Sequence, residues 1–242
     1  MKILGIDSSG LVASVAIVED TKMTAEYTIH FKKTHSQTLL PMLNEIVQMV
    51  ELDLNTIDGI AISGGPGSFT GLRIGSATAK GLGQALGKPL IHVDTLMALA
   101  YNFVGTQAIV CPIMDARRNQ TYTGIYRFLG LECETILEHS AIGIDELIAK
   151  VNQLGENVIF LGDGVEVFED IINQELNVPF MFAPPHLSHQ RAGAVAYLGL
   201  QLMEKGMTQD AASHRPEYLR VSQAERERLE QERLEQENAH DC

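Results

Sequence analysis

The chain has 242 residues, 45% of them hydrophobic, and a formal net charge of −13 at pH 7. This length is sufficient for one large domain or two small ones. The acidic balance, without any basic stripe, argues against a free-standing nucleic-acid binder, because such proteins neutralise phosphates with Lys and Arg side chains. No apolar run is long enough to span a bilayer, no signal peptide is evident, and three scattered cysteines indicate no disulfide framework. These features predict a cytoplasmic protein with no membrane contact.

The chain opens with three strand-like runs, which are followed by a helix. The predicted strands are 2–7, 13–18 and 25–31. Apolar residues at helical spacing predict a helix over 36–50, which Thr34 or Ser36 could cap. Pro41 falls early in this helix, where we expect it to bend the first turns or to mark the true start.

The glycine-rich segment from Gly64 to Gly87, GGPGSFTGLRIGSATAKGLGQALG, begins with a loop shaped like a phosphate cradle and continues as a helix over 70–86. Backbone N–H groups at a helix N-terminus can bind an anion. However, no Gly-Lys-Ser/Thr follows the glycines, the GxGxxG pattern is absent, and Pro66 removes one donor. A structural turn capped by Ser68 or Thr70 fits equally well.

A second phosphate candidate lies at the end of the first strand, in Asp7-Ser8-Ser9. A carboxylate beside small hydroxyl residues can hold a metal–phosphate pair, although the same residue types favour simple turns. The candidate phosphate-facing residues of the strand end and the loop are Asp7, Ser8, Ser9, Gly64, Gly65, Gly67 and Ser68.

The glycine-rich helix has a smooth face, because Gly71, Gly75 and Ala79 lie at i, i+4 and i+8. Each interior glycine costs about 1 kcal/mol relative to alanine, so this helix needs a close neighbour. That neighbour could be the chain's own sheet or a second subunit. Met42 and Met49 on the preceding helix suit either a binding surface or a loosely filled core. For a second subunit, the candidate contact residues are Leu39, Met42, Ile46, Met49, Gly71, Leu72, Gly75 and Ala79.

The second half of the chain begins like the first. In VCPIMDARRNQTYTGIY, as in KILGIDSSGLVASVAI, a strand ends in an aspartate, Asp115 or Asp7, and a polar turn and a second strand follow. This weak internal repeat indicates two related halves. Arg117 and Arg118 in the second turn could contact phosphate or RNA, or could be solvated residues that pair with nearby acids.

The remaining elements alternate between strands and helices, which predicts a mixed sheet covered by helices. The predicted strands are 57–63, 89–93 and 157–161, and the predicted helices are about 94–103, 165–174 and 189–205. From Ser222 onward the sequence is charged and of low complexity, which is typical of a solvated helix or a frayed tail. No catalytic or metal-binding pattern is found: His186 and His189, like His30 and His35, lie outside an HExxH motif, and no G-x-S-x-G surrounds a serine.

Six segments resemble the bacterial TsaB family of tRNA threonylcarbamoyladenosine biosynthesis proteins. In chain order they are MKILGIDSS, THSQTLLPML, GIAISGGPGSFTGLRIGSATAKGLGQALGKPLIHVDTLMALA, IMDARRNQTY, FLGDGV and HRPEYLR. The resemblance covers residues 1 to about 224, and GPGSFTGLRIG and MDARR are its most specific parts. It implies an α/β, actin-like ATPase fold of the sugar kinase and Hsp70 type, with two lobes of mixed sheets covered by helices. The first lobe would span 1–105, and the second lobe would span 106–205, with its last helix packing back on the first lobe. A C-terminal segment that includes the charged tail would span 206–242.

The resemblance also implies a non-catalytic role. The related catalytic family, TsaD, carries a metal-binding HxxxH pair, whereas the matching stretch here, THSQTLL, has His35 followed by Leu39. No metal and no cofactor are therefore expected, although ATP could lie at an assembly interface. The implied partners are TsaD, which this chain would activate in forming N6-threonylcarbamoyladenosine next to the anticodon, and the ATPase TsaE.

Docking to TsaD is expected through the helices 36–50 and 70–86, which would form a homodimer when TsaD is absent. In this view tRNA is reached only through the complex. The alternative is a weak ATPase or a metal-free glycoprotease-like enzyme that uses Asp7 and the glycine-rich loop.

Overall fold

Two five-stranded mixed sheets form the framework of the chain in a computed structural model, which describes residues 1–31 and 34–220. The strands of the first sheet are β1 (Lys2–Asp7), β2 (Val12–Glu19), β3 (Lys22–His30), β4 (Gly59–Gly65) and β5 (Leu90–Asp94). Those of the second sheet are β6 (Ile109–Asp115), β7 (Gln120–Leu129), β8 (Glu132–Gly143), β9 (Val158–Leu161) and β10 (Phe180–Phe182). The tail predicted from Ser222 onward lies outside the described residues.

Helices cover the sheets. They are α1 (His35–Met49), α2 (Phe69–Leu86), α3 (Thr95–Ala100), α4 (Ile144–Leu154), α5 (Gly164–Glu175) and α6 (Ala192–Glu204), with short 3-10 turns at Leu54–Thr56 and Tyr101–Phe103. No helix in the described ranges is long and apolar enough to cross a membrane.

The two sheets have the same strand order and the same strand directions. The first runs β3-β2-β1-β4-β5 and the second β8-β7-β6-β9-β10, with β1 and β6 in the centre. Each central strand pairs antiparallel with the strand that follows it and parallel with its other neighbour. The weak repeat in the sequence therefore corresponds to matching central strands, and each sheet with its helices is called a lobe below.

Local sequence signals set several helix ends. Ser68 Oγ accepts a hydrogen bond from the backbone N–H of Gly71, and α2 ends at Gly87, whose φ of 64° lies in the left-handed region. Asp94 caps α3 by accepting from the N–H of Met97 at 2.6 Å. Pro41, in contrast, lies inside α1, which starts at His35, so the prediction that it marks the helix start is wrong.

Buried apolar side chains form three clusters. One lies between the first sheet and α1 and α2, one lies within the second lobe, and a third joins the two lobes through α3 and α6. α6 approaches the first sheet closely because it carries Gly199, where an added Cβ would lie 2.4 Å from the Cβ of Ala61. Its N-terminus is held by β3, where Glu26 accepts from the N–H of Gly193 at 2.8 Å and pairs with Arg191.

The strand β8 and the helix α4 lie between the elements that the sequence pattern predicts. β8 is an edge strand with alternating acidic and apolar residues, and most of its side chains are only half-buried. Helix α4 lacks a side-chain hydrogen bond at its N-cap, Gly143, so the usual start signal is missing.

Candidate functional site

The strand-end carboxylate of Asp7 is fully enclosed by its own chain. It accepts hydrogen bonds from the backbone N–H and the hydroxyl of Ser9, at 2.9 and 2.7 Å, and from the hydroxyl of Ser63 at 2.5 Å. Burial raises the pKa of Asp7 above its ordinary value, although these hydrogen bonds oppose the shift. The carboxylate is thus committed to holding the β1–β2 turn against β4.

The glycine-rich loop is packed between this turn and the C-terminal part of the chain. The backbone N–H of Ser68 donates to the carbonyl of Ser9 at 2.6 Å, and the N–H of Glu217 donates to the carbonyl of Gly64 at 2.7 Å. Added Cβ atoms at Gly65 and Gly67 would lie 2.3 Å from the carbonyl oxygens of Glu217 and Ser9. The glycines therefore permit close backbone packing within the chain.

A cleft of about 450 Å³ separates the two lobes. Its walls are formed by residues 9–11 and 67–69 of the first lobe, by 114–117, 122, 163 and 166–167 of the second lobe, and by 217–220. Among the predicted phosphate-facing residues, those that line the cleft are Ser9, Gly67 and Ser68. Asp7, Ser8, Gly64 and Gly65 do not line it, since they are buried behind the turn and the loop. The phosphate-facing role of the set stays a prediction, and only Ser9, Gly67 and Ser68 are placed at the cleft surface.

The second-lobe wall of the cleft is acidic. Asp115, at the end of β6, and Asp163, at the start of α5, both line it, together with Glu166. Burial raises the pKa of Asp163 to about 6, and the nearby charge of Asp115 acts in the same direction. Asp163 can therefore gain or lose a proton close to neutral pH. No signal in the sequence marked this residue beyond its place in the turn Gly162-Asp163-Gly164.

Arg117 and Arg118 lie in the β6–β7 turn, as predicted, and both are exposed. Together with Asn119 they have φ values of 65°, 58° and 57°, an uncommon run of left-handed residues. Arg117 pairs with Asp115 at 3.1 Å, but its side chain remains 87% exposed and lines the cleft. A pair with this exposure contributes little to stability, so the guanidinium group is available to an anion.

Seven of the eight predicted partner contacts are buried inside the chain. These seven buried residues are Leu39, Met42, Ile46, Gly71, Leu72, Gly75 and Ala79. Added Cβ atoms at Gly71 and Gly75 would lie 2.0 Å from the carbonyl oxygen and 2.3 Å from the hydroxyl oxygen of Ser8. The prediction of partner contacts is wrong for these seven residues, because the close neighbour of the smooth face is the chain's own β1–β2 turn. Only Met49 is exposed, at 78%.

The outward faces of α1 and α2 were missed from the sequence. The two helices have 15 and 18 residues, and their only Asp, Glu, Lys or Arg side chains are Glu45, Arg73 and Lys80. Leu40 is 53% exposed on α1, and an added Cβ at the exposed Gly81 of α2 would meet no atom within 4 Å. The usable signal was the scarcity of charge in a chain of which 20% is charged.

His35, which matches the first histidine of the HxxxH pair of TsaD, makes a structural contact. Nε2 of His35 lies 2.9 Å from the carbonyl oxygen of Gly10, and Leu39, one helical turn later, is buried. Within residues 1–31 and 34–220, no group of three or more His, Cys, Asp or Glu side chains is placed to hold a metal ion.

Known proteins resemble this chain in both sequence and structure. The family model described as TsaD, tRNA N6-adenosine threonylcarbamoyltransferase, matches residues 24–228. The tRNA threonylcarbamoyladenosine biosynthesis protein TsaB of Bacillus subtilis (strain 168) is 28% identical over 230 residues, which are 95% of this chain and 99% of that protein. The TsaB protein of Escherichia coli (strain K12) is 31% identical over 180 residues, 71% of this chain and 75% of that protein.

Among solved structures, YeaZ from Pseudomonas aeruginosa is 25% identical, with a TM-score of 0.74 over 90% of this chain and 100% of that one. An inorganic polyphosphate/ATP-glucomannokinase from Arthrobacter sp. strain KM, only 12% identical, has a TM-score of 0.50 over 84% of this chain and 99% of that one, which shows the fold alone. Two matching mixed sheets with a cleft between them thus define a protein of the actin-like ATPase fold, as predicted. More specifically, the chain belongs to the TsaB family of tRNA threonylcarbamoyladenosine biosynthesis proteins.

Proposed function

We propose that this chain is a non-catalytic partner that activates a TsaD-type transferase in the formation of N6-threonylcarbamoyladenosine beside the anticodon of tRNA. TsaE would join the larger assembly, and the chain would form a homodimer when TsaD is absent. The tRNA would be held mainly by the other subunits, because this chain carries a net charge of −13. The setting would be the cytoplasm, where tRNA is modified in bacteria.

The observation that carries the proposal is the outward face of α1 and α2, which is poor in charge: Glu45, Arg73 and Lys80 are the only Asp, Glu, Lys or Arg residues of the two helices. Interface cores are poor in charged residues relative to the rest of a protein surface. The helices α1 and α2 are neighbours, and a Cβ added at Gly71 would lie 3.4 Å from Cδ2 of His35, so their outward faces adjoin. Exposed small residues such as Ala77 and Gly81 would let helices of a partner approach closely.

The non-catalytic part of the proposal is supported by the state of Asp7. Its carboxylate oxygens are hydrogen-bonded to Ser9 and Ser63, and it lies outside the cleft lining. The alternative, a weak ATPase or a metal-free glycoprotease-like enzyme, would need this carboxylate or the glycine-rich loop to face a substrate. Of the predicted phosphate-facing residues, only Ser9, Gly67 and Ser68 line the cleft.

The proposal is tested by mixing the purified chain with a TsaD-type protein and measuring complex formation by light scattering and threonylcarbamoylation of tRNA. We expect a heterodimer, and activity of TsaD only when the chain is added. Ala77→Arg places an unpaired charge in the proposed interface and should weaken binding at least about tenfold, with the fold retained. Gln153→Arg, at an exposed position of α4, adds the same charge to the second lobe and should have no effect.

Two outcomes would contradict the proposal. Equal binding of the Ala77→Arg variant and the wild type would exclude this face as the partner surface. Micromolar binding of ATP–magnesium to the chain alone, measured by isothermal titration and lost in Asp7→Asn, would favour the enzymatic alternative.

A further inference from the structure

The C-terminal strap, residues 208–220, runs along the first lobe before it reaches the cleft. It begins with a two-way backbone bridge between Gln209 and Leu90, with N···O distances of 2.8 and 2.9 Å. His214 is almost completely buried, and its Nδ1 lies 3.0 Å from the hydroxyl of Ser76 on α2. The strap is thereby anchored to β5 and to α2.

The last residues of the strap also contact the second lobe, at two separate points. The carboxylate of Glu217 lies 3.1 Å from Nε2 of His139 on β8, whose Nδ1 pairs with Asp94 of the first lobe. Nη1 of Arg220 donates to the carbonyl of Ala116, in the segment that follows β6. The backbone N–H of Glu217 meanwhile remains bonded to the first lobe.

The strap forms one wall of the cleft with side chains of the same chain. Residues 217–220 line it, and the ring of Tyr218 packs on Phe69, at the start of α2, with centroids 4.6 Å apart. The guanidinium of Arg73 lies over the ring of Phe69, 3.8 Å from its centroid. Its Nε is 3.4 Å from the hydroxyl of Tyr218. This end of the strap is therefore held by packing and by polar contacts.

Away from the strap, the lobes share an apolar cluster. It includes Leu99 of α3 and Val195 of α6, which pack together with Val110 and Tyr126 of the second sheet. Lobe movement about this cluster would open or close the cleft, and it is across the cleft that the strap makes its contacts. A strap tied to both lobes resists such movement, because opening would break both second-lobe contacts.

We propose that the C-terminal strap is an interlobe clamp that holds the cleft at a fixed opening and forms one of its walls through residues 217–220. This inference does not depend on the partner proposed above. It concerns the movement of the two lobes of this chain relative to one another, and the strap opposes that movement.

Hydrogen exchange of the intact chain, followed by mass spectrometry of its peptides, tests the clamp. The double variant Glu217→Ala/Arg220→Ala removes both contacts with the second lobe and leaves the anchors at Gln209 and His214. We expect exchange in 215–220 to become at least about tenfold faster, since charged hydrogen bonds of this kind are lost. Exchange in 114–121, across the cleft, should also accelerate, because the strap no longer ties these residues to the first lobe.

The matched control is Glu204→Ala/Lys205→Ala, which removes one acid and one base from the exposed end of α6. Both double variants should keep the far-UV circular dichroism of the wild type, since none of the four side chains is fully buried. Glu217→Gln, which removes only the charge, should give a smaller acceleration in the same peptides. Unchanged exchange in 215–220 would overturn the clamp, and so would faster exchange in 215–220 without any change in 114–121, which would mean local fraying.

Discussion

Two glycines of the same helix should respond in opposite ways to the same substitution. In α2, a Cβ added at Gly75 would lie 2.3 Å from the hydroxyl oxygen of Ser8 and 3.1 Å from Cδ1 of Ile62, whereas a Cβ at Gly81 would meet nothing within 4 Å. Ser8 could turn away only by giving up its 2.9 Å hydrogen bond to the carbonyl of Gly71. Packing therefore opposes an alanine side chain at Gly75, whereas Gly81 has room for one.

The expected magnitudes follow from three contributions. Alanine in place of an interior helix glycine stabilises the helix by about 1 kcal/mol. At Gly75 this gain is opposed by about 1–3 kcal/mol of overpacking and by about 1 kcal/mol for the lost Ser8 hydrogen bond. We therefore expect Gly75→Ala to lower the free energy of unfolding by about 1–3 kcal/mol, and Gly81→Ala to raise it by up to about 1 kcal/mol.

Urea unfolding followed by far-UV circular dichroism measures both values, at a protein concentration low enough that self-association does not contribute. The slope of the free energy with urea should be the same for both variants and the wild type, because the surface exposed on unfolding is unchanged. A Gly75→Ala variant as stable as the wild type, or a shift of both variants in the same direction, would refute the assignment of the smooth face to the chain's own turn.

Two further predictions concern ionisable groups. Asp7→Asn sets an amide donor against the hydroxyl of Ser63 and should cost about 1–3 kcal/mol in urea unfolding; a variant of undiminished stability would show that the buried network is not needed. The Asp94 carboxylate beside His139 raises the pKa of that imidazole to about 9, so the stabilisation is complete below the unfolded-state pKa and is lost as the pH rises through the folded-state value. His139→Gln should flatten the alkaline side of the stability–pH curve, and an unchanged curve would exclude a charged His139 in the clamp region.

Much of the fold could be predicted because local signals agreed with the tertiary structure. Apolar spacing gave α1, Ser68 is one of the two residues predicted to cap α2, and the repeated strand–aspartate–turn–strand pattern gave the two central hairpins. The structural match and the family resemblance then agree on the actin-like fold. The edge strand β8 was missed since its half-buried, charged alternation is typical of exposed segments as well.

The candidate site was predicted less well, for a different reason. Its contacts join residues that are far apart in the chain, such as Asp7 and Ser63, or Glu217 and His139. Composition can suggest that a carboxylate lies at a strand end, but whether it faces a cleft or a neighbouring hydroxyl depends on the packing of separate strands. Arg117 is a partial exception, because its exposed turn is set by local sequence.

The sequence by itself determined which residues share a face of each helix, because helical spacing fixes those faces wherever the helix is placed. The tertiary structure alone decided that the glycine face of α2 turns inward to Ser8 and that its nearly uncharged opposite face turns outward. A stripe of small residues fits a sheet of the same chain as well as a helix of another subunit. Only the position of the β1–β2 turn against that stripe distinguishes the two.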